Sequence, residues 1–316
     1  MTTYLVTCAT GRQGGATVKH LLKAGAQVHA VVRNPESSVA QSLREQGVVL
    51  FKGDNDNAGV ITKAAEGCRG VFLVPQHQDS DHDAEVRQIR TIVQASVAAG
   101  IENVVLSSAI ATGDREKWNG EDQRKLGLPD YYAPKAAAEA AIKHPLIQSW
   151  TILRPSWFYA NYLIPAVHDY QPGLRERGEL VHALDDGVRV AHIDVDDIGK
   201  FAAAALLDPS TYGFETIELG SENLSPEDAA NALSEVSGLD IKVRKRSPEE
   251  ITEAQHRVRS QKFQLYANRF SLSLDCEALR AKYGLRLTSF KEYLQREKDL
   301  LLATLNFGHE QKVLVD

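Results

Sequence analysis

Positive charge is not in surplus in this sequence. Its 36 Lys and Arg stand against 42 Asp and Glu, a formal net charge of -6, so no excess of cations is available for nucleic-acid phosphates. Long apolar runs are also missing. The longest is Phe201–Leu207, far short of the roughly 20 residues of a membrane span. Cysteine is scarce: Cys8, Cys68 and Cys276 lie far apart, which offers neither a zinc spacing nor a disulfide framework and fits a reducing compartment. A strand-like run starts within three residues of Met1, so no signal or transit peptide is expected and the protein is placed in the cytoplasm. No repeat or low-complexity segment occurs. What remains is ordinary globular composition, 43% hydrophobic and 25% charged over 316 residues. That suffices for one large α/β domain, or a large and a small one.

The most informative stretch is Tyr4-Leu5-Val6-Thr7-Cys8-Ala9-Thr10-Gly11-Arg12-Gln13-Gly14-Gly15. An apolar strand runs into a Gly-x-x-Gly turn and then into a helix. Gly11 lets the backbone turn tightly and approach a pyrophosphate. Gly14 lets the helix pack on its strand, and the helix N-terminus offers N–H groups to the anion. One customary glycine is absent, and Cys8 stands in its place. Thr10, Gly11, Arg12, Gln13 and Gly14 are therefore candidate cofactor ligands.

Further strands are expected at Gln27–Arg33, Val48–Lys52, Gly70–Val74, Asn103–Ser107 and Trp150–Arg154, with helices between them that stop at Gly25, Gly47, Gly67 and Gly100. Val-, Leu- and Ile-rich strands alternating with helices imply an α/β fold, a doubly wound parallel Rossmann sheet of order 3-2-1-4-5-6, with a cofactor at the switch point beside strand 1. Phe214–Leu219 could extend the sheet. Residues 1–158, with 189–220 returning to them, are read as the cofactor-binding domain. Residues 159–188 and 221–306 form a smaller, mostly helical substrate-binding region, and 307–316 a tail. Ser225-Pro226-Glu227-Asp228 marks a helix start, and one last helix is expected over Ser289–Thr304.

Strand 2 ends in Val32-Arg33-Asn34-Pro35. NAD-binding sheets place an acid there for the ribose hydroxyls. A guanidinium instead suits a 2′-phosphate, so NADP(H) is expected in preference to NAD(H). Asp54 and Asn55, past strand 3, should touch the adenine. Pro75 and Gln76, past strand 4, should lie along the nicotinamide side, as should Pro155 and Trp157 past strand 6.

Several segments together resemble the NmrA-like family, an atypical branch of the extended short-chain dehydrogenase/reductases. They are the glycine turn, Val32-Arg33-Asn34-Pro35, Lys135-Ala136-Ala137-Ala138-Glu139, Thr151-Ile152-Leu153-Arg154-Pro155-Ser156-Trp157-Phe158 and His192-Ile193-Asp194-Val195-Asp196-Asp197-Ile198-Gly199. The resemblance implies a fold of about residues 3–305 and one of two roles. Some such proteins are reductases of quinones, enones or phenolic ethers. Others bind dinucleotide and report redox state to a protein partner.

Tyr131 and Lys135 have the Tyr-x-x-x-Lys spacing, which puts both on one helix face. A lysine ammonium beside a phenol favours its ionisation, so the phenol can pass a proton to a substrate oxygen as hydride arrives, and the lysine can also hold the nicotinamide ribose. Ser108 is the expected carbonyl-polarising serine at the end of strand 5, with Ser107 in reserve. Against a catalytic Tyr131 stands its place at the helix start: Asp130 reads as the N-cap, and Pro134 is tolerable only inside the first turn. The aromatic run after strand 6 supplies substrate candidates Phe158, Tyr159 and Asn161, suited to a planar substrate. Trp118, in a polar loop over 113–129 that could act as a lid, is a fourth. His77–Asp83 lacks the spaced geometry of a metal site, so no metal is expected. Lys242-Val243-Arg244-Lys245-Arg246 reads as a solvated strand edge that resists pairing. The expected function is an NADP(H)-dependent oxidoreductase acting on a small carbonyl, quinone or enone, with no nucleic-acid or membrane partner. The alternative is a non-catalytic dinucleotide sensor acting through a protein.

Overall fold

The structure, a computed structural model, describes residues 1–75, 81, 83–255 and 257–306. They cluster into two compact units. One contains Met1–Gly113, Asp130–Pro155 and Val195–Glu218; the other contains Asp114–Pro129, Ser156–Asp194 and the chain from Leu219 onward.

The first unit is built on a seven-stranded sheet. Its strands are β1 (Thr3–Val6), β2 (Gln27–Val32), β3 (Val49–Lys52), β4 (Cys68–Leu73), β5 (Asn103–Ser107), β6 (Ser149–Pro155) and β7 (Glu215–Leu219). The order is β7-β6-β5-β4-β1-β2-β3, and β1 to β6 pair in parallel. The expected order is thus present, and β7 lengthens the sheet beside β6. Helices α1 (Arg12–Lys23), α2 (Ser38–Glu45), α3 (Ala58–Ala65), α4 (Ala84–Ala98), α5 (Leu128–Ile142) and α6 (Val195–Leu207) accompany it.

One sheet face buries Leu5, Val31, Val71, Leu73, Val104, Leu106 and Ile152 against Ile61, Ile89, Ile92, Val93 and Ile142 of α3, α4 and α5. Each such side chain contributes roughly 1.5–3 kcal/mol when fully buried. Elsewhere in the unit α1 and α6 pack together, and Gly199 makes that contact close: a Cβ there would lie 2.5 Å from Ala16. Buried Asn103 donates to the Ala205 carbonyl at 2.7 Å and so ties β5 to α6.

Helix α5 differs from its expected form. It begins at Leu128, so Pro134 falls in its second turn rather than its first. The proline has no N–H to offer Asp130, and the helix runs through the missing bond.

The second unit has a three-stranded sheet of Trp157–Phe158, Val190–Ile193 and Glu222–Leu224, and a pair formed by Glu179–His182 and Lys242–Lys245. That pairing is parallel, from Lys242 on Glu179 to Lys245 on His182, so the basic stretch is an edge strand of a two-stranded sheet that does pair, against the expectation that it resists pairing. The expected helix start is present at Pro226–Ser237, where Ser225 and Asp228 form a capping box. The last expected helix is two, Phe290–Arg296 and Lys298–Thr304, divided at Glu297. The segment read as a lid carries two short helices, Arg115–Trp118 and Glu121–Lys125.

Candidate functional site

The glycine turn explains its own composition. A Cβ on Gly14 would lie 2.2 Å from the Cys8 carbonyl oxygen, closer than any side chain permits, and one on Gly11 would lie 3.2 Å from the same atom. The turn closes through Gly11 N–H to Cys8 O at 2.8 Å and Gly15 N–H to Gly11 O at 2.8 Å. Cys8 takes the left-handed conformation, φ 53°, which glycine adopts without cost and other residues do not. Contacts around its thiol accompany the strain: Sγ donates to Val74 O at 3.3 Å, and Asn55 Nδ2 lies 3.7 Å from Sγ. Thr7 links the same ends, its hydroxyl taking the Val74 N–H at 3.0 Å. The turn therefore sits where β1, β3 and β4 all finish.

Thr10, Gly11 and Arg12 are exposed, and Gln13 is partly so. Arg33 is exposed at the end of β2. Among the described residues neither the Arg12 nor the Arg33 side chain has an ion-pair or hydrogen-bond partner. A close backbone cradle, a helix N-terminus and two uncommitted guanidinium groups fit a phosphorylated dinucleotide. Asp54 is exposed and bonds its own turn through Asp56 N–H at 3.2 Å. Asn55 is buried against the turn. Pro75 lies two residues past the end of β4 and Pro155 is the last residue of β6, whereas Gln76 lies outside the described residues.

Lys135 on α5 is largely buried, 11% exposed, and its Nζ pairs with the Glu85 carboxylate of α4 at 3.0 Å; Glu85 is 2% exposed. The same Nζ lies over the Tyr131 ring, 4.5 Å from its centroid. Tyr131 is half-buried and meets Tyr132 edge to face, with ring centroids 5.0 Å apart. The i, i+4 spacing thus brings Tyr131 and Lys135 together, and a cation over an aromatic face is itself favourable. Nothing in the sequence pointed to Glu85. An acid in the first turn of a helix reads as a favourable charge near the dipole, and its burial emerges only from packing.

The serines are engaged. Ser107 Oγ donates to Gln13 Oε1 at 2.6 Å, which joins the glycine turn to β5. Ser108 Oγ donates to Glu139 Oε1 at 2.6 Å. Glu139, one turn beyond Lys135, is held by Arg154 through Nε at 2.9 Å and Nη2 at 2.7 Å, and Arg154 reaches Glu218 through Nη1 at 3.0 Å. Burial alone would lower the Arg154 pKa; hydrogen bonds and charge from Glu139 and Glu218 outweigh it and raise the value. The Lys135–Glu139 and Thr151–Phe158 segments, separate in sequence, are thus joined by one two-pronged ion pair. The Ser108 hydroxyl proton is committed to that carboxylate and not to an open space.

The remaining candidates belong to the second unit. Trp157 packs edge to face on Tyr170 and Phe263, with centroids 5.5 and 6.4 Å away, and lines a small aromatic cavity with Tyr162 and His192. Phe158 is half-buried. Tyr159 is 0% exposed; its hydroxyl donates to Glu222 at 2.9 Å and its ring packs on Phe290 and Tyr293, so it is a core residue with no face left for a substrate. Asn161 and Trp118 are likewise buried. His192 donates from Nδ1 to the Val190 carbonyl at 2.7 Å, and its Nε2 lies 3.0 Å from the Tyr162 hydroxyl. Burial lowers its pKa to about 4.

The NmrA-like family profile matches residues 2–294. Quinone oxidoreductase 2 of Escherichia coli is 27% identical over 252 residues, covering 78% of this chain and 75% of that protein. Among solved structures, Citrobacter sp. triphenylmethane reductase superposes with a TM-score of 0.74 at 22% identity, covering 95% of this chain and 99% of that one. NmrA, a negative transcriptional regulator solved with NADP, superposes at 0.72 with 19% identity, covering 98% and 99%. The chain belongs to the NmrA-like family, and its Rossmann-type α/β fold is the one these structures share.

Proposed function

We propose that this NmrA-like chain is an NADP(H)-dependent reductase of a small planar carbonyl, quinone or enone. The observation that carries the reading is the buried Lys135 ammonium, fixed by Glu85 and set over the Tyr131 ring. Bound NADPH would supply the hydride. Tyr131 gives its hydroxyl proton to the substrate oxygen as charge develops there, and the Lys135 cation stabilises the phenolate left behind. Lys135 also serves as a donor for the cofactor ribose, with Glu85 keeping its charge. Gly11, Gly14 and the start of α1 hold the pyrophosphate, Gln13 is oriented by Ser107, and Arg33 with Arg12 takes the 2′-phosphate, which favours NADP(H) over NAD(H). Ser108 acts by fixing Glu139 on the helix that carries Lys135.

The homologous quinone oxidoreductase supports this class of substrate. The second reading, a dinucleotide sensor that acts through a protein partner, gains support from the commitment of Ser108 to Glu139, which leaves no serine proton for a substrate carbonyl. NADPH oxidation with a panel of quinones, enones and aromatic ketones separates the two. Saturable turnover of at least one substrate is expected. Tight NADPH binding with no turnover across the panel would favour the sensor.

A further inference from the structure

A cavity of about 380 Å³ lies wholly within the second unit. Arg177, Arg244, Arg246 and Arg257 all line it. Two of these are already matched. Arg177 pairs with Glu176 at 2.7 Å, and Arg244 pairs with Glu250 at 2.7 Å. Glu250 is doubly engaged, because it also accepts the Ser247 N–H at 2.9 Å in a capping box. Both contacts fall on Oε2, and the same carboxylate charge acts on Arg246 without a hydrogen bond to it.

Arg246 is treated differently. It is 8% exposed, and its Nη1 is buried without a hydrogen-bond partner. Its backbone is pinned on both sides: the Arg246 N–H donates to His182 O at 2.7 Å, and Ser247 caps the helix Pro248–Ala254. The side chain is thus held at the cavity wall. Burial lowers its pKa, Glu250 opposes that and Arg244 adds to it. An arginine still keeps its proton at neutral pH. A buried cation with an unmade N–H bond is a cost to the fold, and a matching anion removes it. Arg257 is exposed, and its side chain takes no partner among the described residues. The one remaining carboxylate of the lining, Glu253, is exposed.

We propose that this cavity binds a small molecule bearing a compact oxyanion, phosphate or carboxylate, with Arg246 as its anchor and Arg257 as a second cation. A planar guanidinium suits either group by paired hydrogen bonds. The site is separate in its residues from the glycine turn and does not depend on the reductase reading.

The test titrates full-length protein with inorganic phosphate and, separately, with malonate, against chloride at matched ionic strength, by calorimetry and thermal unfolding. At least one anion is expected to bind saturably and to raise the Tm. A phosphate-only response identifies a phosphorylated ligand, and a malonate-only response a carboxylate. Arg246→Met is expected to lose the response while its Tm without anion equals or exceeds that of the parent. Should Arg246→Met fail to fold, Arg246→Lys carries the test, with affinity about tenfold weaker because the fork is lost. Absence of saturable binding by either anion overturns the proposal. So does an equal response in the parent and the folded variant, which would locate the anion elsewhere.

Discussion

Lys135 in the first unit and Arg246 in the second are both basic side chains withdrawn from water, and their surroundings differ. Lys135 has a carboxylate at 3.0 Å and an aromatic face at 4.5 Å. Arg246 feels the charge of Glu250, which is hydrogen-bonded to Arg244 and Ser247, and one of its own buried nitrogens has no hydrogen-bond partner. Arg33 makes a third case: it too lacks a partner among the described residues, but it is exposed to water, so its charge costs little. A paired buried cation is compensated within the resting structure, whereas an unpaired one carries a desolvation cost, which is the ground for the proposed anion site. Buried His192 belongs with these as a base kept neutral rather than paired.

The largest effect should come from removing the partner of Lys135. Glu85→Ala leaves an uncompensated buried ammonium and is expected to cost about 3–5 kcal/mol of unfolding free energy in urea titrations. A loss below about 1 kcal/mol would show that Lys135 simply swings to solvent and would erase the contrast with Arg246.

A smaller effect concerns pH. The folded His192 titrates near 4, while an unfolded histidine titrates near 6.5. Between these values the unfolded chain holds the proton and the folded one does not. Stability therefore falls as pH drops from about 6.5 to 4, by about 3 kcal/mol at most from this residue. Asp196, whose pKa is lowered by its hydrogen bond to His20 and then by Lys19, adds a loss of the same sign only as pH falls below the ordinary carboxylate range. Urea midpoints at pH 7 and 4.5 should converge in His192→Phe; an undiminished gap would mean that other groups carry it.

The smallest effect belongs to the solvated cation. Arg33→Ala should weaken NADPH binding about tenfold, leave NADH binding nearly unchanged and cost almost no stability, since a charge-assisted phosphate contact contributes on the order of 1.5–3 kcal/mol. Calorimetry with both cofactors checks this, and equal affinities in the parent protein would remove the case for NADP(H).

The sheet order could be read from the sequence because its signals are local: apolar strands, helices stopped by glycine, and a turn whose glycines answer to backbone contacts such as Gly14 on Cys8 O. The Tyr131–Lys135 pairing could be read for the same reason, since i, i+4 spacing is a property of one helix. What escaped the sequence depends on tertiary packing. Glu85 meets Lys135 across two helices, and Glu139 meets Arg154 across a helix and a strand. The aromatic run after β6 reads as a pocket, yet Tyr159 points into the core, where Glu222 accepts its hydroxyl proton and the Thr288 carbonyl lies 3.3 Å away. The basic stretch at 242–246 reads as uniformly solvated. Lys242 and Lys245 are exposed and pair with Asp240 and Asp185, and only Arg246, beyond the strand's last residue, turns inward.

The central claim is that Tyr131, set beside the Lys135 ammonium, delivers a proton during NADPH-dependent reduction. Its most direct test is Tyr131→Phe, with NADPH affinity and single-turnover reduction of the best substrate measured on the same preparation. The variant is expected to keep an unchanged NADPH Kd and to show a reduction rate lower by about 10²-fold or more. An unchanged rate at full cofactor occupancy would contradict that claim.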